Sequence, residues 1–329
     1  MRILVVGGTS FFGAEIVDLL LAEGHDVAVL SRGNKQPDWL EKVQHLEGDR
    51  TDSDQLRGLL AGEEFDVLID NIAYQARDVG TILDIVGERV GRYVLTSTAS
   101  VYRFVPQRTM PLHEDEVDFE WQPPAFDPQE RGWEYAAGKR DAERVLLDQE
   151  EVPYTIIRPP IVLGPVDPTL RGYFYFQRLL DGKPVILTNG GVNSFRMVYS
   201  GDLARSYLLA IDNPQAKNRI YNITQTEIIT TRDFMDAAAA ALGSEAEIVA
   251  VPDRTLQASE LDYADPYSRL VNFIPAVSRA QDELGYESTP YQTWVKDTAR
   301  WFRDHYQGED AEGYAERERE VGLAKGFIT

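Results

Sequence analysis

Short apolar runs alternate along the chain with longer stretches of helical period. Residues 2–6 (RILVV) read as a buried parallel strand, followed by a glycine-rich turn at 7–13 and an apolar-periodic helix to about residue 23. The strand pattern returns at 26–30, 43–46, 65–69, 92–96 and 154–157. Helical stretches lie between, at 52–60 with Asp52 or Ser53 as cap, at 79–90 and at 133–149. This alternation predicts βαβ units and a doubly wound α/β parallel sheet. Pro159 and Pro160 end the regular pattern, and shorter helices and strands follow, with helices at 231–242 and 291–306.

Two segments depart from the rhythm. Residues 103–131 are polar and proline-rich, and a loop this long is commonly a lid, a binding loop or a disordered segment. It is expected to cover part of the site, its acids and Trp121 facing solvent or substrate. Residues 307–329 are charged and read as a peripheral tail. The expected organisation is a dinucleotide-binding domain from 1–160 plus 196–225, and a smaller C-terminal substrate-binding lobe from 161–195 plus 226–306.

The glycine turn carries the first chemistry. Gly7-Gly8-Thr9-Ser10-Phe11-Phe12-Gly13 stands directly between a strand and a helix. Gly7 permits the sharp turn, Gly13 permits close packing of helix on sheet, and the helix N-terminus offers free N–H groups to a pyrophosphate. Ser10 stands where such loops often carry a middle glycine. The second strand ends Leu30-Ser31-Arg32, without the acid that grips the ribose hydroxyls of NAD. Arg32 and Lys35 suit a 2′-phosphate, so the cofactor reading is NAD(P) with a lean to NADP. Asp49, after the third strand, is placed to meet an adenine edge or to serve as a turn residue.

Tyr135 and Lys139 form a Y-x-x-x-K, which sets both on one helix face. A phenol of pKa about 10 must fall by about three units to act near neutrality. One positive charge at about 4 Å in an effective dielectric of about 20 supplies roughly the 4 kcal/mol required. A hydroxyl cluster, Thr96-Ser97-Thr98-Ala99-Ser100, stands at the C-terminal end of the fifth strand, where ligands bind in open parallel sheets. Thr96 and Ser100 also read as strand-end caps.

Composition narrows the chemistry. There is no cysteine, which excludes disulfides, thiol nucleophiles and cysteine-based zinc sites. Four scattered histidines make a metal enzyme an unfavoured reading. A net charge of −21 opposes binding to nucleic acid and anionic lipid. No apolar run reaches the ~18 residues of a membrane span, and the first strand begins at Arg2, so a cytoplasmic protein without a signal peptide is expected.

In this order, the motifs GGTSFFG (7–13), GDRTD (48–52), DNIAY (70–74), TSTASVY (96–102), YAAGK (135–139), RPPIVLGP (158–165) and FRMVYSGDLA (195–204) resemble those of extended short-chain dehydrogenases of the NAD-dependent epimerase/dehydratase type. The likeness covers about 1–225 and weakens toward 305. It implies a Rossmann-type fold, catalysis by Thr98, Tyr135 and Lys139, and a homodimer. Cofactor contacts are implied for Gly7, Thr9 to Gly13, Ser31, Arg32, Asp49, Arg50, Asn71, Ile72, Ala73, Thr96, Tyr135, Lys139, Pro159 and Pro160. Substrate contacts are implied for Thr98, Ser100, Tyr102 and Arg196, the last as a clamp on a nucleotide-sugar phosphate. Asp202 reads as a helix cap.

Ser10, Asn71, Ile161 and the insertion 103–131 depart from the common pattern. They resemble an atypical branch that includes the chloroplast stem-loop-binding proteins. Three functions are therefore in view: an epimerase or dehydratase acting on a nucleotide-linked sugar, an NADPH-dependent carbonyl reductase, and a non-catalytic protein with an RNA or protein partner.

Overall fold

The strand–helix alternation folds into one parallel sheet in the computed structural model, which describes residues 1–105, 108–120, 132–261, 263, 265–267 and 272–328. The strands are β1 (Arg2–Val6), β2 (Asp26–Ser31), β3 (Gln44–Glu47), β4 (Val67–Asp70), β5 (Tyr93–Thr96), β6 (Tyr154–Arg158) and a seventh, Arg219–Asn222. Across the sheet the order is Arg219–Asn222, β6, β5, β4, β1, β2, β3, with every neighbouring pair parallel. The chain winds outward from β1 to β3, then returns to β4 and winds the other way. Ligands of such sheets sit at the carboxyl ends of the strands flanking that reversal. Val6 pairs with both Leu30 and Asp70, so β1, β2 and β4 end level. Gly7, Ser31 and Asn71 thus emerge along one edge.

Helices α1 (Phe11–Ala22), α2 (Ser53–Leu59), α3 (Ala76–Val86) and α4 (Trp133–Leu147) connect these strands. Residues Ile3 to Val6 of β1 are fully buried, as a strand covered on both faces requires. α3 packs on α4, and α1 packs on the helix Ser200–Asp212. The core on one side of the sheet joins Leu4, Val6, Leu68, Ile82, Leu95 and Leu146.

Local hydrogen bonds explain where boundaries differ from the apolar pattern. α3 begins three residues earlier than its periodicity predicts, because the Asp78 carboxylate accepts the N–H groups of Tyr74 and Gln75 at 2.8 and 3.2 Å. It stops at Gly87, whose φ of +50° breaks the helix. Asp52 caps α2, accepting from Asp54 and Gln55 at 3.1 and 3.0 Å. Phe65, expected inside β4, makes only an isolated bridge to Val90.

The chain divides into two units. The first is Met1–Val162, Ser200–Thr224 and Pro275–Glu287; the second is Leu163–Tyr199, Gln225–Ile274 and Ser288–Thr329. In the second, helices Arg171–Leu180, Thr231–Leu242 and Tyr291–His305 pack together, and Val185–Thr188 pairs in parallel with Ile248–Val251.

Two expectations need correction. The charged C-terminal segment is not peripheral: it forms the helix Arg317–Lys325, and Glu320 lies fully buried in a bidentate pair with Arg178 at 2.6 and 2.9 Å. One charge of this segment neutralises a buried arginine, which draws the segment into the fold. In the 103–131 segment Asp115, Asp118 and Glu120 are exposed as expected, and the correction concerns Glu114, which does not face solvent. It is buried, accepts the Asn222 N–H at 2.9 Å and faces Arg279 at 3.7 Å. Trp121 lies outside the described residues. Among the described residues no helix is long and apolar enough to cross a membrane.

Candidate active site

At the end of β1 the turn is too tight for side chains. Gly7 has φ +80°, and a Cβ on it would stand 2.6 Å from Cγ2 of Ile72. A Cβ on Gly13 would stand 2.7 Å from the Gly7 carbonyl oxygen. This closeness brings the backbone of Thr9, Ser10, Phe11 and Phe12 to the start of α1. Ser10 is the extended N-cap residue, is exposed and makes no side-chain cap. Phe11 takes φ +49°, the kind of strain that tight functional turns hold. Beside the loop, Nδ2 of the buried Asn71 has no hydrogen-bond partner, and it would lie 3.4 Å from a Cβ on Gly13. Two bare glycines, an uncapped helix start and an orphaned donor together form a cradle that fits a dinucleotide pyrophosphate.

Arg32, just past the end of β2, is exposed. The Ser31 hydroxyl meets His45 Nε2 at 2.9 Å and accepts the Gly33 N–H at 3.4 Å. Asp49 accepts the N–H and the hydroxyl of Thr51, both at 2.8 Å. Those bonds, with smaller help from Arg32 and Arg50, hold its carboxyl below the usual range.

The second half of the site is built on α4. Gly138 lets this helix touch the loop after β4: a Cβ there would be 2.3 Å from the Tyr74 carbonyl oxygen. The contact sets Lys139 against the ends of β4 and β5. Lys139 is buried, and its Nζ donates to the Thr96 carbonyl at 2.6 Å. It stands 6.0 Å from the ring centre of Tyr135 and 4.8 Å from that of Tyr74. Burial drives its pKa down to about 8, partly opposed by Asp70. The Tyr135 ring is exposed and lies 6.2 Å from the Tyr74 ring, itself exposed. Thr98, at the end of β5, caps the following turn by accepting the Ser100 N–H at 3.1 Å, and its hydroxyl donates to Ser100 Oγ at 3.2 Å.

Three residues expected at ligands turn inward instead. Arg50 is buried, its Nη1 on both oxygens of Asp70 at 2.7 and 2.9 Å and its Nη2 on the Asp78 carbonyl at 2.7 Å. The Thr96 hydroxyl donates to Asn71 Oδ1 at 2.7 Å and meets the Tyr207 hydroxyl, so only its carbonyl serves the site. Tyr102 is fully buried and donates to Asn222 Oδ1 at 2.8 Å. It belongs to a buried network in which Arg158 pairs with Glu143 at 2.6 and 2.8 Å and Ser97 bonds Glu143. The hydroxyls of Thr96 and Tyr102 are thus committed inside the core, and Arg50 is committed through both Nη atoms, while its buried Nε has no partner.

The remaining candidates are placed by backbone or by the second unit. Ile72 and Ala73 continue the loop from β4, and Ile72 fills the space beside Gly7. The Pro159 carbonyl accepts the Ala99 N–H at 2.8 Å, with Pro160 next in chain. Arg196, in the second unit, donates to the Thr226 carbonyl at 2.7 Å, and burial lowers its pKa. Asp202 lies buried in the first turn of Ser200–Asp212, bonded to Arg205. Sequence reasoning missed Tyr74 and the contact role of Gly138. Their signal was present, an aromatic closing DNIAY and a glycine inside YAAGK, but neither follows a helical or strand period.

The model of the NAD dependent epimerase/dehydratase family matches residues 3–224. The chloroplast stem-loop binding protein of 41 kDa b from Arabidopsis thaliana is 30% identical over 305 residues, 87% of this chain and 75% of that protein. The 2-alkyl-3-oxoalkanoate reductase of Stenotrophomonas maltophilia is 28% identical over 266 residues, covering 74% and 76%. Among solved structures, UDP-glucose 4-epimerase of Thermotoga maritima, with UDP-glucose, superposes with a TM-score of 0.74 at 21% identity, over 92% of this chain and 99% of that one. With a family model over two thirds of its length and a relative at 30% identity, this chain belongs to the NAD-dependent epimerase/dehydratase family.

Proposed function

We propose that this protein is an NAD(P)-dependent epimerase or dehydratase acting on a nucleotide-linked sugar, with Tyr135 as acid and base. The observation that carries the reading is the buried Lys139 ammonium near an exposed Tyr135 ring. With a pKa lowered by burial to about 8, Lys139 is mostly protonated at pH 7. A cation so placed favours the phenolate of Tyr135, which can then draw a proton from a substrate hydroxyl. Thr98, at the end of β5, would hold the same substrate oxygen. Gly7, Gly13, Asn71 and the first turn of α1 would hold the pyrophosphate, Arg32 a 2′-phosphate and Pro160 the flank of the nicotinamide. A nicotinamide bound there would supply reversible hydride transfer with the carbinol carbon.

The first experiment is to denature the purified protein and weigh any nucleotide it releases. Near-stoichiometric dinucleotide supports an enzyme that keeps its cofactor through the cycle. Tyr135→Phe should then abolish turnover of the nucleotide sugar, and unimpaired turnover sinks the reading.

Arg32 favours a second reading, a reductase using NADPH as a dissociable cosubstrate. An exposed arginine stands where NAD-specific relatives of the fold place an acid. Losing its charge-assisted bonds to a 2′-phosphate should weaken NADPH about ten- to a hundredfold in Arg32→Ala and leave NADH unchanged. Tighter binding of NAD(H) than NADP(H) by the unaltered chain removes the NADP preference.

A further inference from the structure

The loop after β4 carries a second tyrosine that the reading above does not use. Tyr74 is held by its backbone: its N–H donates to Asp78 at 2.8 Å, and its carbonyl abuts Gly138 of α4. Its ring is half exposed, so packing into the core does not explain it. The Lys139 ammonium lies closer to this ring than to that of Tyr135, 4.8 against 6.0 Å. The single hydrogen bond described for that ammonium goes to the Thr96 carbonyl. A lysine with little access to water gains from an aromatic face within ~6 Å of the ring centre.

We infer that Tyr74 is a positioning residue for the Tyr135–Lys139 pair, its ring face holding the ammonium of Lys139 in its charged state beside Tyr135. The inference deepens the proposed acid–base site and rests on that reading for its use in turnover, though the contact itself does not. Other charges also face Lys139. Asp70 at the end of β4, Asp78 of α3 and Glu143 of α4 favour its charge, while Arg50 opposes it. Asp70 is already shared among Arg50, the Tyr93 hydroxyl and the Ile72 N–H. Of the two exposed tyrosine rings that face the ammonium, Tyr74 is the nearer, and it brings no charge of its own.

The test is a titration of Lys139 itself in the full chain without cofactor, by NMR of lysine labelled at Cε and Nζ. Seven lysines make the spectrum simple, and Lys139→Met assigns the resonance. Tyr74→Leu and Tyr74→Gln should lower the midpoint by about half to one pH unit, whereas Tyr74→Phe, which keeps the ring face, should leave it in place. Midpoints in Leu and Gln equal to the unaltered chain, or a fall in Phe as large as in Leu, overturn the inference. Because no substrate enters this measurement, failure of the nucleotide-sugar reading would show separately, as absent turnover with the titration shifts intact.

Discussion

Lys139 is a cation held where water scarcely reaches it, and the fold bears the energetic cost. Its pKa falls from an ordinary 10.5 to about 8, chiefly through burial. Below pH 8 both the folded and the unfolded chain carry the charge, so the folded state bears the whole penalty, about 3 kcal/mol. Between about pH 8 and 10.5 the folded chain sheds a proton that the unfolded chain keeps. This group's contribution to stability therefore rises with pH across that window. Lys139→Met, similar in length and uncharged, is expected to be more stable than the unaltered protein by about 1–3 kcal/mol at pH 7, less whatever the Thr96 carbonyl loses. Denaturant unfolding at pH 7 and pH 10.5 checks this: the advantage should shrink toward zero at the higher pH. A variant less stable at pH 7 would mean that the bond to Thr96 outweighs burial. An inactive but stabilised variant is what a residue kept for chemistry should give.

At the scale of elements, legibility followed period. β1, an unbroken apolar run buried on both faces, and the helix Thr231–Leu242, with its one apolar face, were readable because burial fixes them. The glycine loop was readable because only glycine tolerates the φ at position 7 and the approach at 13. Side chains facing the core from loop ends were not. Nothing local in Arg50 or Tyr102 tells a reader that Asp70 or Asn222, far along the chain, will satisfy it. The same holds for Gly138, whose reason lies in the Tyr74 carbonyl across the α4 contact. Gly138→Ala therefore tests the element, not the residue. A methyl at 2.3 Å from backbone oxygen forces α4 and the β4–α3 loop apart, at about 1–3 kcal/mol. The ammonium of Lys139 should move with its helix, so thermal stability and the Lys139 titration midpoint should both change. A variant with unaltered melting and an unaltered midpoint would mean that the loop yields freely and does not position the site.

On the scale of the whole molecule, the chain passes between its two units five times, and each unit is closed by a late segment. The first unit takes Arg279, which faces the otherwise buried Glu114 and bonds Asp115. Within the second unit, Ile248–Val251 supplies the only strand partner of Val185–Thr188 among the described residues, and Glu320 neutralises the fully buried Arg178. The family match ends at residue 224, before all of these. A chain cut after Thr224 would leave Arg178 charged and unpaired, and breaking a buried pair from one side costs about 3–5 kcal/mol. That is a large share of the net stability of an ordinary domain, ~5–15 kcal/mol, before the lost sheet and helix packing is counted. The truncated chain is expected to lack a cooperative melting transition and to bind no dinucleotide, although it retains Gly7, Tyr135 and Lys139. In the full chain, Glu320→Ala should lower stability by the same 3–5 kcal/mol while leaving dinucleotide affinity intact, since Arg178 and the glycine loop belong to different units. Should the 1–224 piece instead melt cooperatively and bind NAD(P), the first unit would be an independent domain, and its late segment 275–287 would be dispensable.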